Sequence, residues 1–306
     1  MINDPIQVSR VTKRYGNVLA LDDVSLSVAQ GEMFGLIGHN GAGKSTLFKL
    51  MLGLVPVTGG TIRVNGAPVG GQDFRDVRRR IGYLPESFVT YDNLSGLEVL
   101  GLFADLKKVP RERCAPMLER VGLGEAGRRR VRGYSKGMRQ RLGFAQLLLG
   151  EPDLIFLDEP TNGLDAEGIH DFYRMLREAQ SRGATIVITS HILAEIQERV
   201  DRLVILNAGR IAAQGTLAQL RAQMVLPSTI EVILHPGNTQ RVCDALAKVD
   251  GLEVTASQEI VRISCPPAMK MAVLGILSGL PQAVRDIGIR EPSLEDVFLG
   301  YGGQHA

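Results

Sequence analysis

Apolar positions along the 306-residue chain fall into three successive patterns. Between about residues 6 and 30 they form two strand-like runs on either side of Tyr15-Gly16-Asn17, a turn signal. Residues 32–38 (EMFGLIG) are apolar almost throughout, and a glycine-rich loop and a helical run over 44–54 follow. Two more continuous apolar runs, 154–157 and 185–189, each lie near a helical stretch. Strands of this kind suit a parallel sheet covered by helices on both faces, because neither side of the strand meets water. Residues 87–150 break the pattern: helices are predicted over 96–106 and 111–121, with no convincing strand between them. We expect a helical subdomain there, inserted into an α/β core.

The third pattern begins beyond residue 223, after a short linker containing Pro227. A strand over 229–234, a helix over 239–249, strands over 252–256 and 261–265, a helix over 269–279 and a strand over 283–289 are predicted. This β-α-β-β-α-β order is that of a ferredoxin-like α+β unit. The expected domains are therefore residues 1–222, with the helical subdomain at about 87–150, and residues 228–306.

Composition removes several function classes. The net charge is +2, without the concentrated basic excess of a nucleic-acid-binding domain, so no nucleic-acid partner is expected. Two basic clusters, at 75–80 and 128–132, read as solvated surface, the second with a possible role against a membrane partner. Three cysteines (Cys114, Cys243, Cys265) show no CxxC spacing, which fits a reducing compartment and gives no zinc pattern. The first residues carry no apolar signal segment, and no run of about 18 apolar residues occurs. The chain is expected on the cytoplasmic side, at a membrane only if another protein holds it there.

Chemistry enters with Gly38-His39-Asn40-Gly41-Ala42-Gly43-Lys44-Ser45, which has the form GxxxxGK[ST] and is followed by Thr46. Its glycines let the backbone turn tightly, so successive N–H groups face a phosphate from a helix N-terminus. Lys44 adds a cation near the β- and γ-phosphates, and the Ser45 hydroxyl is a Mg²⁺ ligand candidate. The strand before and the helix after are the required context. A second element, Leu154-Ile155-Phe156-Leu157-Asp158-Glu159, ends a buried strand in two carboxylates. Asp158 is placed to reach the metal, and Glu159 to polarise an attacking water.

Between these two elements lies Tyr134-Ser135-Lys136-Gly137-Met138-Arg139-Gln140-Arg141. It resembles the signature motif of the ABC ATPases, departing from the commonest LSGGQ form at Tyr134, Lys136 and Met138. Pro160-Thr161-Asn162-Gly163-Leu164-Asp165 resembles the family's D-loop, Thr189-Ser190-His191 its switch histidine, and Lys13-Arg14-Tyr15-Gly16 its adenine-stacking loop. The resemblance covers about residues 5–220 and implies a P-loop NTPase fold with a RecA-like core. By position it implies that Tyr15 stacks on adenine, Ser45 and Asp158 hold Mg²⁺, Glu159 acts as general base, and His191 contacts the γ-phosphate. Ser135, Lys136 and Gly137 would bind the nucleotide of the opposite subunit, so a second copy, head to tail, completes the site. Glu86 stands where most relatives have a glutamine; we expect it to reach the metal side of the site, with a solvent-facing position at a permease interface as the alternative.

One P-loop, no long heptad insertion and no membrane span leave a stand-alone motor with an integral membrane permease as partner. The finer resemblance is to the ABC-2 branch, through YSKGMRQRL, Glu86 and the terminal EPSLEDVF at 291–298. Within it, GHNGAGKST, IGYLPESFVTYDNLSGLEVLGLFADLK and YSKGMRQRLGFAQLLLGEP resemble the ATPases that serve copper-site maturation of periplasmic nitrous oxide reductase. That resemblance implies delivery of copper or sulfur through the permease, with a periplasmic accessory protein. An ABC-2 exporter of drugs, lipids or polysaccharide, and a non-transport regulatory ATPase, are the alternatives.

Overall fold

The continuous apolar runs become the middle of a six-stranded sheet. Its strands lie in the order Arg210–Gly215, Arg202–Asn207, Met33–Ile37, Thr185–Ser190, Leu154–Asp158, Ile81–Leu84. All neighbours are parallel except the first pair, which forms an antiparallel hairpin. Every residue of Met33–Ile37, Leu154–Asp158 and Thr185–Ser190 is buried, as covered parallel strands require. This is a computed structural model, and it describes residues 4–223, 227–247 and 249–290.

The first 70 residues add what the parallel-sheet expectation left out. Strands Val18–Val28, Ile6–Tyr15, Gly59–Val64 and Ala67–Pro68 form a separate antiparallel sheet in that order. Their burial alternates, because one face packs on the core and the other is wet. Ile6, Val8, Val11, Leu21 and Val24 share a core with Phe34, Phe48 and Phe156. Phe48 and Phe156 meet edge to face, with centroids 5.4 Å apart, tying the P-loop helix to the Leu154–Asp158 strand.

The middle segment is helical. Ser95 caps Gly96–Lys107, accepting from the Glu98 N–H while the Glu98 carboxylate accepts from the Ser95 N–H. The expected 111–121 helix opens as a tight turn, Arg111–Arg113, behind Pro110, and continues as Cys114–Arg120. Helix Lys136–Leu148 follows, and Ala166–Ser181 lies after the Leu154–Asp158 strand.

The first compact unit ends at Thr216, and the helix Leu217–Gln223, placed by the sequence with the first domain, belongs to the second unit. That unit carries strands Ser228–Leu234, Glu253–Ser257, Ile260–Cys265 and Val284–Arg290, with helices Thr239–Leu246 and Lys270–Ser278. The fully antiparallel sheet runs second, third, first, fourth, the ferredoxin-like arrangement. Ile230, Val232, Val261 and Ile263 alternate inward onto Val242, Leu246, Val273 and Leu277. Cys265 is buried in this core and Cys243 packs at its edge, so both act as apolar filler. The 291–298 stretch lies outside the described residues.

Candidate functional site

An open cleft of about 330 Å³ sits over the glycine loop, lined by His39, Asn40, Gly41, Gly43, Lys44, Ser45 and Thr46. Val18, Leu19, Ala20, Glu86, Glu159 and His191 complete its lining. Helix Lys44–Met51 starts here, and its first N–H groups have no intrahelical acceptor, so they face the cleft as ready anion donors. Gly43 has φ +105°, and a Cβ there would lie 2.7 Å from the Ala20 carbonyl oxygen; only glycine turns the loop into the helix. Gly38 and Ala42 are buried beneath the loop, and the Ala42 N–H donates to the His39 carbonyl at 3.0 Å.

Lys44 is 6% exposed, with Nζ donating to the Gly38 carbonyl at 2.6 Å and standing 3.8 Å from Glu159 Oε1. Burial lowers its pKa, and the charges of Glu159 and Asp158 oppose that shift. Glu159 also contacts His191, Oε2 to Nδ1, at 2.7 Å. The expected general base and the expected γ-phosphate contact are therefore already joined, with Lys44 as the third member.

Neither buried Asp158 nor Tyr15 is among the residues lining the cleft; Tyr15 ends its strand 43% exposed, with Lys13 Nζ 4.7 Å from its ring centroid. Burial raises the Asp158 pKa, a hydrogen bond from Thr189 lowers it, and the charges of Glu159 and Glu86 raise it again. Thr189 is the residue sequence reasoning missed. Its hydroxyl donates to Asp158 Oδ1 at 2.7 Å and accepts from the Glu159 backbone N–H at 3.0 Å, holding the Asp158 carboxylate and the Glu159 main chain from one buried oxygen. Glu159 needs such a hold because its backbone is left-handed, φ +47°. A threonine closing the apolar run 185–189, immediately before Ser190-His191, was the available signal.

Ser135, Lys136 and Gly137 do not line this cleft. They start helix Lys136–Leu148, with the Ser135 hydroxyl accepting from the Met138 N–H at 3.2 Å. A Cβ on Gly137 would stand 2.8 Å from the Gly163 carbonyl oxygen, and one on Gly163 would meet the Lys136 stem. The signature turn and the D-loop are thus packed backbone to backbone. Gln140 Nε2 adds a buried bond to the Pro160 carbonyl at 3.0 Å.

Residues 21–162 match the ABC transporter family model. The daunorubicin resistance ATP-binding protein DrrA3 of Streptomyces coeruleorubidus is 35% identical, over 99% of this chain and 97% of that protein. The chain belongs to the ABC transporter ATP-binding family. ABC relatives matched along nearly their whole length include the daunorubicin/doxorubicin resistance protein DrrA of Streptomyces peucetius, 32% identical over 98% of this chain and 93% of that one. The solved structure of an ATP-binding subunit of an ABC transporter superposes with a TM-score of 0.67 at 36% identity, covering 71% of this chain and 92% of that one. A dimeric ATP-binding cassette in a post-hydrolysis state, bound to ADP and Pi, shares the fold at TM-score 0.64 and 24% identity, over 69% of this chain and 98% of that one.

As an ABC ATPase the chain hydrolyses ATP and uses Mg²⁺. The residues present fit that pair. Lys44 is set against three carboxylates within electrostatic reach, Glu159, Asp158 and Glu86, which leaves an excess of negative charge for a divalent cation to offset. Ser45 adds a neutral, exposed hydroxyl to the same donor set. Among the described residues no helix is long and apolar enough to cross a membrane, and no group of three or more His, Cys, Asp or Glu side chains forms a further metal cluster.

Proposed function

We propose that this chain is the motor of a two-part ABC-2-type transporter, peripheral on the cytoplasmic face of the cell membrane. Two copies close head to tail on two ATP molecules, and closure drives a separate membrane permease. The observation that carries this is the divided machinery. Lys44, Glu159 and His191 stand together at the cleft, while Ser135–Gly137 lie outside it and need another subunit's nucleotide. Mg²⁺ held by Ser45 and Asp158, with Glu86 on the same side, would neutralise phosphate charge and orient the phosphate chain. The loop N–H groups and Lys44 bind that chain. Glu159, held by Thr189, takes the proton of the attacking water, and His191 turns from Glu159 toward the γ-phosphate. Tyr15 receives the adenine by stacking.

The test is Glu159→Gln. With MgATP it should accumulate as a dimer on gel filtration while hydrolysis falls about 10²–10⁴-fold, the worth of a general base. A variant that stays monomeric with bound MgATP refutes the head-to-tail reading.

For the cargo, the motif-bearing stretches at 38–46, 81–107 and 134–152 support service to nitrous oxide reductase, through delivery of copper or sulfur with a periplasmic accessory protein. Reductase made with and without the chain should then differ in copper content and visible absorption. A drug exporter is the second reading, favoured by the daunorubicin resistance relatives that match almost end to end. Daunorubicin tolerance conferred by the chain with its permease, beside an unchanged reductase, would decide for that one.

A further inference from the structure

The strand Val284–Arg290 pairs on one side only, with Ser228–Leu234. Its other side carries backbone donors and acceptors with no strand partner among the described residues, a template for a further strand. Asp286 Oδ1 accepts from the Ile287 N–H at 2.8 Å, which marks that N–H as facing the open edge. Strand alternation puts the Ile289 N–H on the same side. Asp286, Gly288 and Arg290 share the sheet face away from the helices, and neither charged residue has an ion-pair partner among the described residues.

An antiparallel copy placed with Gly288 on the two-fold axis meets every one of these features. Asp286 faces Arg290 of the second copy, and Arg290 faces its Asp286. Ile287 faces Ile289, also twice, as hydrogen-bonded pairs in which the second copy's Ile289 carbonyl takes the Ile287 N–H from Asp286 Oδ1 and frees that carboxylate for Arg290. The Gly288 pair on the axis is of the closer kind, Cα to Cα about 4.5 Å, and no side chain crowds it. Ile289, 44% exposed, would be covered. The register irregularity of this strand falls at Arg285, outside the paired residues. The other edge, Glu253–Ser257, lacks this match: centred on Thr255 it sets Glu253 against Ser257.

We propose that two copies of this chain join through Val284–Arg290, antiparallel about Gly288, fusing their four-stranded sheets into one. This contact is independent of the ATP sandwich and holds the pair together when the nucleotide leaves.

The test uses the full chain with Cys243→Ser, since Cys114 and Cys265 are buried. Gly288→Cys brings two sulfurs within disulfide reach across the axis. A Cβ there meets nothing closer than the Glu231 carbonyl oxygen at 3.9 Å, so the fold tolerates it. Under mild oxidation without nucleotide it should yield a disulfide dimer at least about ten times faster than Thr255→Cys. Adding Lys44→Ala should leave that rate unchanged, which separates this contact from the nucleotide-driven one. Asp286→Arg should slow cross-linking about tenfold, and Asp286→Arg with Arg290→Asp should restore it. Equal rates for Gly288→Cys and Thr255→Cys, or no recovery in the charge-swapped chain, would overturn the proposal.

Discussion

Replacing Thr189 by valine removes one oxygen from a fully buried site at almost constant volume. Two groups lose their partner at once. The Asp158 carboxylate loses a 2.7 Å donor, and bonds to charged groups are worth about 1.5–3 kcal/mol. The Glu159 N–H loses a 3.0 Å acceptor, and an unpaired buried donor costs about 1–3 kcal/mol. The added apolar surface returns part of this, so we expect a loss of about 3–4 kcal/mol at neutral pH, a large share of a typical domain's stability. Thr189→Ser keeps the hydroxyl and should cost less than about 1.5 kcal/mol. The sign of the pH dependence follows from Asp158, whose folded pKa lies above its ordinary 3.8. Stability linked to such a group is complete below 3.8 and is lost as pH rises through the folded value. Valine raises that folded value further, so the deficit should be largest at neutral pH and shrink on acidification. Urea unfolding of the three proteins from neutral to acid pH measures it. A valine variant within about 1 kcal/mol of the parent, or a deficit that widens in acid, would refute the assignment of Thr189 as the clamp on the Asp158 carboxylate and the Glu159 main chain.

Gly137→Ala should destabilise by about 1–3 kcal/mol and depress MgATP hydrolysis more than binding, because its methyl meets the Gly163 carbonyl at 2.8 Å; parallel melting and turnover assays check it. Glu86→Gln should let ATP bind at lower Mg²⁺, since one negative charge leaves the cleft; an unchanged metal dependence in a fluorescent-nucleotide titration argues against a metal-side Glu86. Burial pushes Lys107 down to about 8 while its Nζ donates to the Gln146 and Leu147 carbonyls at the end of a helix. Its charged form is disfavoured by folding, so the parent protein should gain stability as pH rises from about 8 toward 10.5, and Lys107→Met should lack that gain in denaturant titrations.

The parallel strands were legible because each is apolar at every position, and the ferredoxin-like unit because its alternation and breaks are clean over 228–290. Gly59–Val64, Ala67–Pro68 and Ile81–Leu84 were not, being short and set among glycine, proline and arginine. Glycine and proline argue against strand by propensity, and these segments are strands because neighbours supply the pairing. At the site, Lys44, Ser45, Asp158 and Glu159 could be named from their motifs, and His191 from the family resemblance. Thr189 could not be given its role, since its bonds span about 30 residues to another strand. Nor did spacing reveal that Val18, Leu19 and Ala20 form the cleft wall.

Gly137 and Gly163 touch through their backbones, and only three residues separate Gly163 from Glu159. In the proposed dimer Gly137 reads the neighbour's phosphate while Glu159 serves its own. A push on one is then passed through a stiff five-residue span to the other, and the neighbour returns it by the same route. In that dimer the pair would work as a closed relay, with neither half firing on a schedule of its own.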